Sequence, residues 1–216
     1  MSSNRFPGKM LSPLKGQPVL WWVSQRIFQA NIDIERVAVL TSTDSSDDPL
    51  AAYSASIGLK VFRGPLNDVF HRFLLGHQAL GSQWIIRVTG DSPFISPDLF
   101  RFVIDQIRLD TCPFITTTFR RTLPKGMNLE AFKPELLGLL SNRDHMSPEE
   151  KEHVTKYWHR HRPSSGLLSI ELDQHDLSHM SVAIDTLDDL RLADEGRFDD
   201  IVDSVPWKTL IAKKFE

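Results

Sequence analysis

Two hydrophobic periods alternate along the chain. Short apolar, often β-branched runs at 37–41, 59–62, 84–88, 114–118 and 182–184 predict strands. Between them, apolar residues recur at three- and four-residue spacing, and the ends of these stretches carry helix signals. Pro18 suits a first helical position ahead of Leu20, Val23 and Ile27, and Asp48-Pro49 starts a helix that Gly58 can stop. Asn67 can cap the run Val69, Phe70, Phe73 and Leu74, with Gly81 just past its end. Ser96-Pro97 opens a helix through Leu99, Phe102, Val103 and Ile107. Another stretch starts at Pro148, and one more runs through Leu187, Leu190 and Leu192.

Strands alternating with helices of roughly 10–15 residues predict right-handed crossovers. The expected class is α/β: a doubly wound, mostly parallel, Rossmann-like sheet with helices on both faces. Runs apolar throughout fit strands buried on two faces. Ligands of such sheets bind outside the carboxyl ends of the strands, so chemistry is sought there.

Composition narrows the class without changing it. The 216 residues are 41% hydrophobic, and no linker or low-complexity stretch divides them, so one domain over 1–216 is expected, with an excursion around 119–162. Cys112 is the only cysteine and cannot form an internal disulfide. No run approaches the roughly 18 apolar residues of a membrane span, and the opening lacks the apolar core of a signal peptide. A cytoplasmic protein without membrane partners is the expectation. The net charge of −3 and five scattered tryptophans argue against nucleic acid as a partner. Charge is unevenly spread: residues 1–32 hold Arg5, Lys9, Lys15 and Arg26 and no acid, whereas 144–216 hold 16 acids against 9 bases. The start could face an anion, and the end could supply carboxylates to a cation.

Two strand ends carry candidate chemistry. Residues 84–88 run into Thr89-Gly90-Asp91-Ser92-Pro93, which places a carboxylate at the mouth of a buried strand. Such a group suits Mg²⁺, which is held by one or two carboxylates plus substrate phosphates; the competing reading is a turn aspartate. Asp185 follows Val182, Ala183 and Ile184, but on pattern alone Asp185 or Thr186 is better read as the cap of the next helix. The opening Ser2-Ser3-Asn4-Arg5-Phe6-Pro7-Gly8-Lys9 could wrap phosphates, with Arg5 and Lys9 as charge partners, or be a frayed terminus. It is not a GxxxxGK[ST] loop. His153, Tyr157 and His161 share one face of a helix from Pro148, a polar stripe rather than a zinc site, since no HExxH is present. No GxSxG motif supports a serine nucleophile.

Seven blocks in order resemble the CTP-dependent sugar cytidylyltransferases, specifically the spore-coat polysaccharide F-like branch related to the CMP-sialic acid and CMP-Kdo synthetases. They are Ser3-Asn4-Arg5-Phe6-Pro7-Gly8-Lys9 with Leu14-Lys15-Gly16-Gln17-Pro18; Thr41-Ser42-Thr43 with Asp47-Asp48-Pro49; Val61-Phe62-Arg63-Gly64 with Asp68 and Arg72; Arg87-Val88-Thr89-Gly90-Asp91-Ser92-Pro93; Pro124, Gly126, Glu130 and Phe132; Glu152-His153-Val154-Thr155 with Tyr157; and Asp185-Thr186 with Asp189.

The resemblance implies transfer of CMP from CTP to a hydroxyl of an acidic sugar, with release of pyrophosphate. It implies Asp91 and Asp185 as Mg²⁺ ligands, which turns the reading of Asp185 from cap to ligand. Arg5 and Lys9 would act with Asp91 in catalysis, and Ser3, Asn4, Arg5, Lys9, Thr41, Ser42 and Gly90 would bind CTP. Arg72, Glu130 and His153 would line the acceptor-sugar side. A homodimer is implied, with 148–161 and 119–132 as candidate interface elements. One departure stands at the front: family members start with a hydrophobic strand and an Ala-Arg step, whereas here Met1 falls inside the loop. Without that central strand, two neighbours would be left unpaired. Either the native product is longer or the sheet is a rearranged, degenerate version; the first is preferred because the later blocks are intact. The alternatives in function are a nucleotide-sugar-dependent glycosyltransferase and a non-catalytic nucleotide-binding or partner protein.

Overall fold

A computed structural model describes residues 6–141 and 146–215. The chain opens with a 3-10 turn at Lys9–Leu11 and a hairpin of β1 (Pro13–Leu14) and β2 (Gln17–Pro18), whose Lys15-Gly16 turn takes positive φ at both residues. Then follow α1 (Val19–Gln29), β3 (Ala38–Ser42), α2 (Asp48–Ser56), β4 (Lys60–Gly64), α3 (Val69–Leu80), β5 (Ile85–Val88), α4 (Pro97–Leu109) and β6 (Phe114–Thr116). The second half holds β7 (Leu129–Phe132), α5 (Glu135–Ser141), α6 (Pro148–Glu152), α7 (Lys156–Arg160), β8 (Leu167–Leu172), α8 (Leu187–Asp194), α9 (Arg197–Ser204) and β9 (Leu210–Phe215).

Several predicted ends are met by side chains. Ser96 accepts from the Asp98 N–H, and Gly81 closes α3 at φ 59°. The cap of α3 is Asp68 rather than Asn67: its carboxylate accepts from the His71 N–H, and an ionised acceptor at a helix start is favoured by the dipole.

The α/β class stands, but the strands form a mixed sheet rather than a mostly parallel one. β5-β7-β6-β8-β9 make a five-stranded sheet in which only β6–β8 is parallel, and β3–β4 form a separate parallel pair. The expected strand at 182–184 is extended chain joined by a single bridge, Lys125 to Ser181. In its place β7, β8 and β9 complete the sheet. The excursion expected around 119–162 therefore contains β7, which lies between β5 and β6.

Side-chain alternation divides the sheet's two faces. Leu129, Ala131, Ile115, Leu168 and Ile170 pack with α1, α4, α8 and α9. Phe132, Phe114 and Leu167 pack with α3, α5 and α7 through Phe70, Leu137 and Trp158. β6, β7 and β8 are buried along their whole length, whereas every residue of β5 is only half-buried, as are most of β3 and β4. β3 pairs only with β4, and β5 only with β7, so among the described residues the other edge of each carries no strand. α3 spans this break, meeting Leu40 of β3 at Gly76 and packing Phe73 and Val69 in the same cluster as Ile85 of β5.

Candidate active site

The carboxyl end of β5 leads through Thr89 and Gly90 to Asp91, and the backbone there draws the second carboxylate in. Asp91 O accepts from the Ile184 N–H at 2.9 Å, so Asp185, next in sequence, stands beside Asp91 although 94 residues separate them. Lys9 joins them: its Nζ lies 2.9 Å from Asp91 Oδ2, 3.4 Å from Asp185 Oδ1 and 3.0 Å from the Ile184 carbonyl. A Cβ at Gly90 would lie 2.6 Å from the Met10 sulfur, so a side chain there would have to push the Met10 side chain aside. Lys9 and Asp185 are only 12% and 11% exposed at their side chains, a setting in which charge attraction is screened far less than in water.

The cap of α8 settles the two readings of Asp185. Thr186 is the cap, in a reciprocal box with Asp189, whose Oδ2 also accepts from the Asp185 N–H at 3.0 Å. The Asp185 side chain is thereby left to face Lys9 and Lys125, the second of which also ion-pairs with it.

Thr41 and Ser42 end β3, and both hydroxyls donate to the buried Asp47 carboxylate, at 2.7 and 2.6 Å. Ser3, Asn4 and Arg5 lie outside the described residues.

A second polar cluster fills the α3, α5 and α7 face of the sheet. Glu130 stands directly across from Arg87 in the β5–β7 register. Its Oε2 accepts from Arg87 Nη1 at 2.6 Å, and its Oε1 meets the Thr155 hydroxyl at 2.8 Å and His159 Nε2 at 3.1 Å. Burial pushes this carboxyl up, but the hydrogen bonds from His159 and Thr155 and the charge of Arg87 outweigh it and hold the pKa at about 2. The histidine of this cluster is His159; His153 is exposed. The helix expected from Pro148 through His161 breaks into α6 and α7 at Val154, φ 35°, and this turn rotates Thr155 and His159 inward while His153 faces solvent. The hydrophobic pattern carries no sign of this break, but the four-residue spacing of Thr155 and His159 is that of side chains on one helix face. Arg72 is buried with its stem against Gly64 at the carboxyl end of β4, and its Nε has no hydrogen-bond partner among the described residues. Desolvation lowers its pKa, partly offset by Asp68.

Among the described residues, no group of three or more His, Cys, Asp or Glu side chains gathers as a metal cage. Two carboxylates at a strand mouth nevertheless fit Mg²⁺, which normally takes one or two carboxylates and leaves other positions to water and phosphate. The Lys9 ammonium between them shows that the pocket accommodates positive charge. A cavity of about 580 Å³ lined by His77, Trp84, Asp110 and Lys133 lies at the other end of β5 and contains none of these groups. No helix among the described residues is long and apolar enough to cross a membrane.

The chain is similar to known proteins in both sequence and structure. Spore coat polysaccharide biosynthesis protein SpsF of Bacillus subtilis is 33% identical over 164 residues, 74% of this chain and 67% of that protein. The 3-deoxy-manno-octulosonate cytidylyltransferase of Aeromonas salmonicida is 26% identical over 66% of this chain and 55% of its own. The structure of a cytidylyltransferase from Leptospira borgpetersenii superposes with a TM-score of 0.78 at 26% identity, covering 95% of this chain and 94% of the other. The model of the family described as cytidylyltransferase matches residues 1–185, a span that opens ahead of Lys9 and closes on Asp185, and the chain belongs to that family.

Proposed function

We propose that the chain transfers CMP from CTP to a hydroxyl of an acidic sugar and releases pyrophosphate, in the synthesis of a surface polysaccharide. The observation that carries this reading is the Lys9 ammonium held between Asp91 and Asp185 at the carboxyl end of β5. The sugar oxygen forms a bond to the α-phosphorus, the bond from that phosphorus to the bridging oxygen breaks, and pyrophosphate leaves with the electron pair. The hydroxyl proton passes to solvent. Such a displacement asks the protein mainly for positioning and charge neutralisation. Asp91 and Asp185 would hold Mg²⁺, which when bound neutralises triphosphate charge and polarises the attacking hydroxyl. Lys9 would bind the phosphates, and Arg5 is proposed to act with it. Ser3, Asn4 and Gly90 line the CTP side in this reading. Thr41 and Ser42, whose hydroxyls are engaged by Asp47, shape that wall through their backbone.

On the acceptor side, the Arg72 Nε, which has no partner among the described residues, is a donor suited to a sugar carboxylate. Glu130 acts there by holding Arg87, Thr155 and His159 in place rather than by touching sugar. The relatives' names favour an acidic sugar, since 3-deoxy-manno-octulosonate carries a carboxylate. The test is pyrophosphate release from CTP with Mg²⁺ and a set of acidic sugars. Turnover with at least one is expected. Absence of CTP binding by calorimetry, or tighter binding of a UDP- or GDP-sugar than of CTP, would sink the reading in favour of a glycosyltransferase or a non-catalytic role.

One domain over residues 1–216 is part of this proposal, and the break between β3 and β5 bears on it. A helix about 10–12 Å across covers about two strand spacings of 4.7–4.9 Å, so α3, which meets Leu40 of β3 at Gly76 and shares a hydrophobic cluster with Ile85 of β5, leaves about one strand's width between them. We propose that this width takes one further parallel apolar strand, which the described residues do not supply. Fusing a five-residue Val/Ile-rich strand ahead of residue 1 should stabilise the chain by roughly 3 kcal/mol, the margin of apolar burial over ordering entropy. The melting temperature should then rise by about 6–12 °C. Slower amide exchange in β3 and β5 should accompany it. An unchanged melting temperature with unchanged exchange in both strands would count against the slot.

A further inference from the structure

Lys125 belongs to the ion cluster although neither hydrophobic pattern nor family resemblance singled it out. Its place is set by backbone rather than by a wandering side chain. The Lys125 N–H donates to Met180 O at 2.9 Å, and its carbonyl accepts from the Val182 N–H at 2.8 Å. Gly126 follows at φ 97°, so close to the same segment that a Cβ would lie 2.7 Å from Ala183 N. The Lys125 peptide is thus pinned to the chain that enters Asp185, and its ammonium pairs with Asp185 Oδ2. The side chain is 51% exposed, which leaves it room to swing into the mouth of the site.

Among the described residues, the charges here cancel. Asp91 and Asp185 face the ammonium groups of Lys9 and Lys125, while Asp189 turns to the start of α8 and accepts from the Asp185 and Thr186 N–H groups. A divalent cation arriving alone therefore meets no net negative charge, and it must displace an ammonium to reach either Asp185 oxygen. A triphosphate, with about four negative charges, reverses this balance: it draws the lysines onto its own oxygens and releases the carboxylates.

We propose that Lys125 is a positioning residue that makes divalent-cation binding at Asp91 and Asp185 conditional on the nucleotide triphosphate. The proposal rests on the reading of the chain as a CTP-using enzyme. Its consequence is thermodynamic coupling: cation and nucleotide each bind better in the presence of the other, by the same factor.

The test is a Mn²⁺ titration followed by electron paramagnetic resonance, with Mn²⁺ as the probe. It is run on the wild type, Lys125→Met and Lys125→Arg, each with and without CTP. For the wild type, CTP should raise Mn²⁺ affinity by roughly 5- to 150-fold, the usual span of such couplings. Without CTP, Lys125→Met should bind Mn²⁺ about tenfold more tightly than the wild type, the effect of removing one neighbouring positive charge, and Lys125→Arg should match the wild type. Lys125→Met binding Mn²⁺ alone no more tightly than the wild type would overturn the proposal, as would equal wild-type affinity with and without CTP while CTP binds. Failure of CTP to bind any of the three proteins would instead overturn the CTP-using reading. The nucleotide-free comparison would still decide whether Lys125 holds the cation off.

Discussion

Asp185→Asn is expected to lower kcat/KM for pyrophosphate release from CTP by roughly 10³-fold or more, with the fold retained. The carboxylate sits where three demands meet: it accepts from Lys9, pairs with Lys125 and is proposed to share a cation with Asp91. Replacing it with an amide keeps the size and removes the charge, so packing against Ile184 and the Thr186 cap should survive. What is lost is a fixed anion at a partly buried site, where one preorganised electrostatic group is worth about 10²–10³ in rate by itself. Loss of a metal ligand adds to that figure. The comparison is steady-state kinetics of the purified variant beside circular dichroism of the same sample. Activity within about tenfold of the wild type, in a folded variant, would remove Asp185 from the reacting centre.

The second large effect concerns stability, and its pH dependence has a definite sign. Glu130 is buried with its pKa held at about 2, below the ordinary value of 4.5. A depressed carboxyl stabilises the folded state at pH values above its unfolded pKa, and this contribution disappears as pH falls through the folded one. The window is therefore about pH 4.5 down to 2, and the contribution is on the order of 3 kcal/mol. Glu130→Gln should cost about 3–5 kcal/mol near pH 7, because the Arg87 guanidinium, 19% exposed, would lose its paired charge while remaining in the sheet. Urea unfolding of both proteins at pH 7 and pH 3 separates the two contributions. At pH 3 the wild type should have lost much of its advantage over the variant. A difference that stays constant between the two pH values would show that Glu130 contributes shape and hydrogen bonds rather than charge.

Strands β3, β4, β5 and β6 were legible in the sequence because each is a short apolar run between clear helix signals. β7 was not. Leu129-Glu130-Ala131-Phe132 holds no β-branched residue and carries a glutamate, so its residues favour a helix locally; it becomes a strand because β5 and β6 pair with it on both sides. β9 includes Lys213 and Lys214, suitable for an exposed sheet edge but poor as a strand signal. The reverse holds at 182–184, where an apolar β-branched run lies buried yet, among the described residues, joins its neighbours by one bridge, at Ser181. Propensity reports whether a side chain suits a buried extended chain, not whether a partner strand lies beside it.

The candidate site divides along the same line. By itself the sequence determined that a carboxylate follows β5, that a basic and acid-free segment opens the chain, and that seven motif blocks stand in the order of a sugar cytidylyltransferase. All of these are local, and a strand end or loop composition can be read without knowing what lies opposite. Only the tertiary structure decided that Asp185 is released by the Thr186 cap to face Lys9, that Lys125 joins it across 60 residues, and that His159 rather than His153 meets Glu130. Each of those outcomes depends on a hydrogen bond or charge pair between segments distant along the chain. Their energies exist only once folding has brought the groups within about 3 Å.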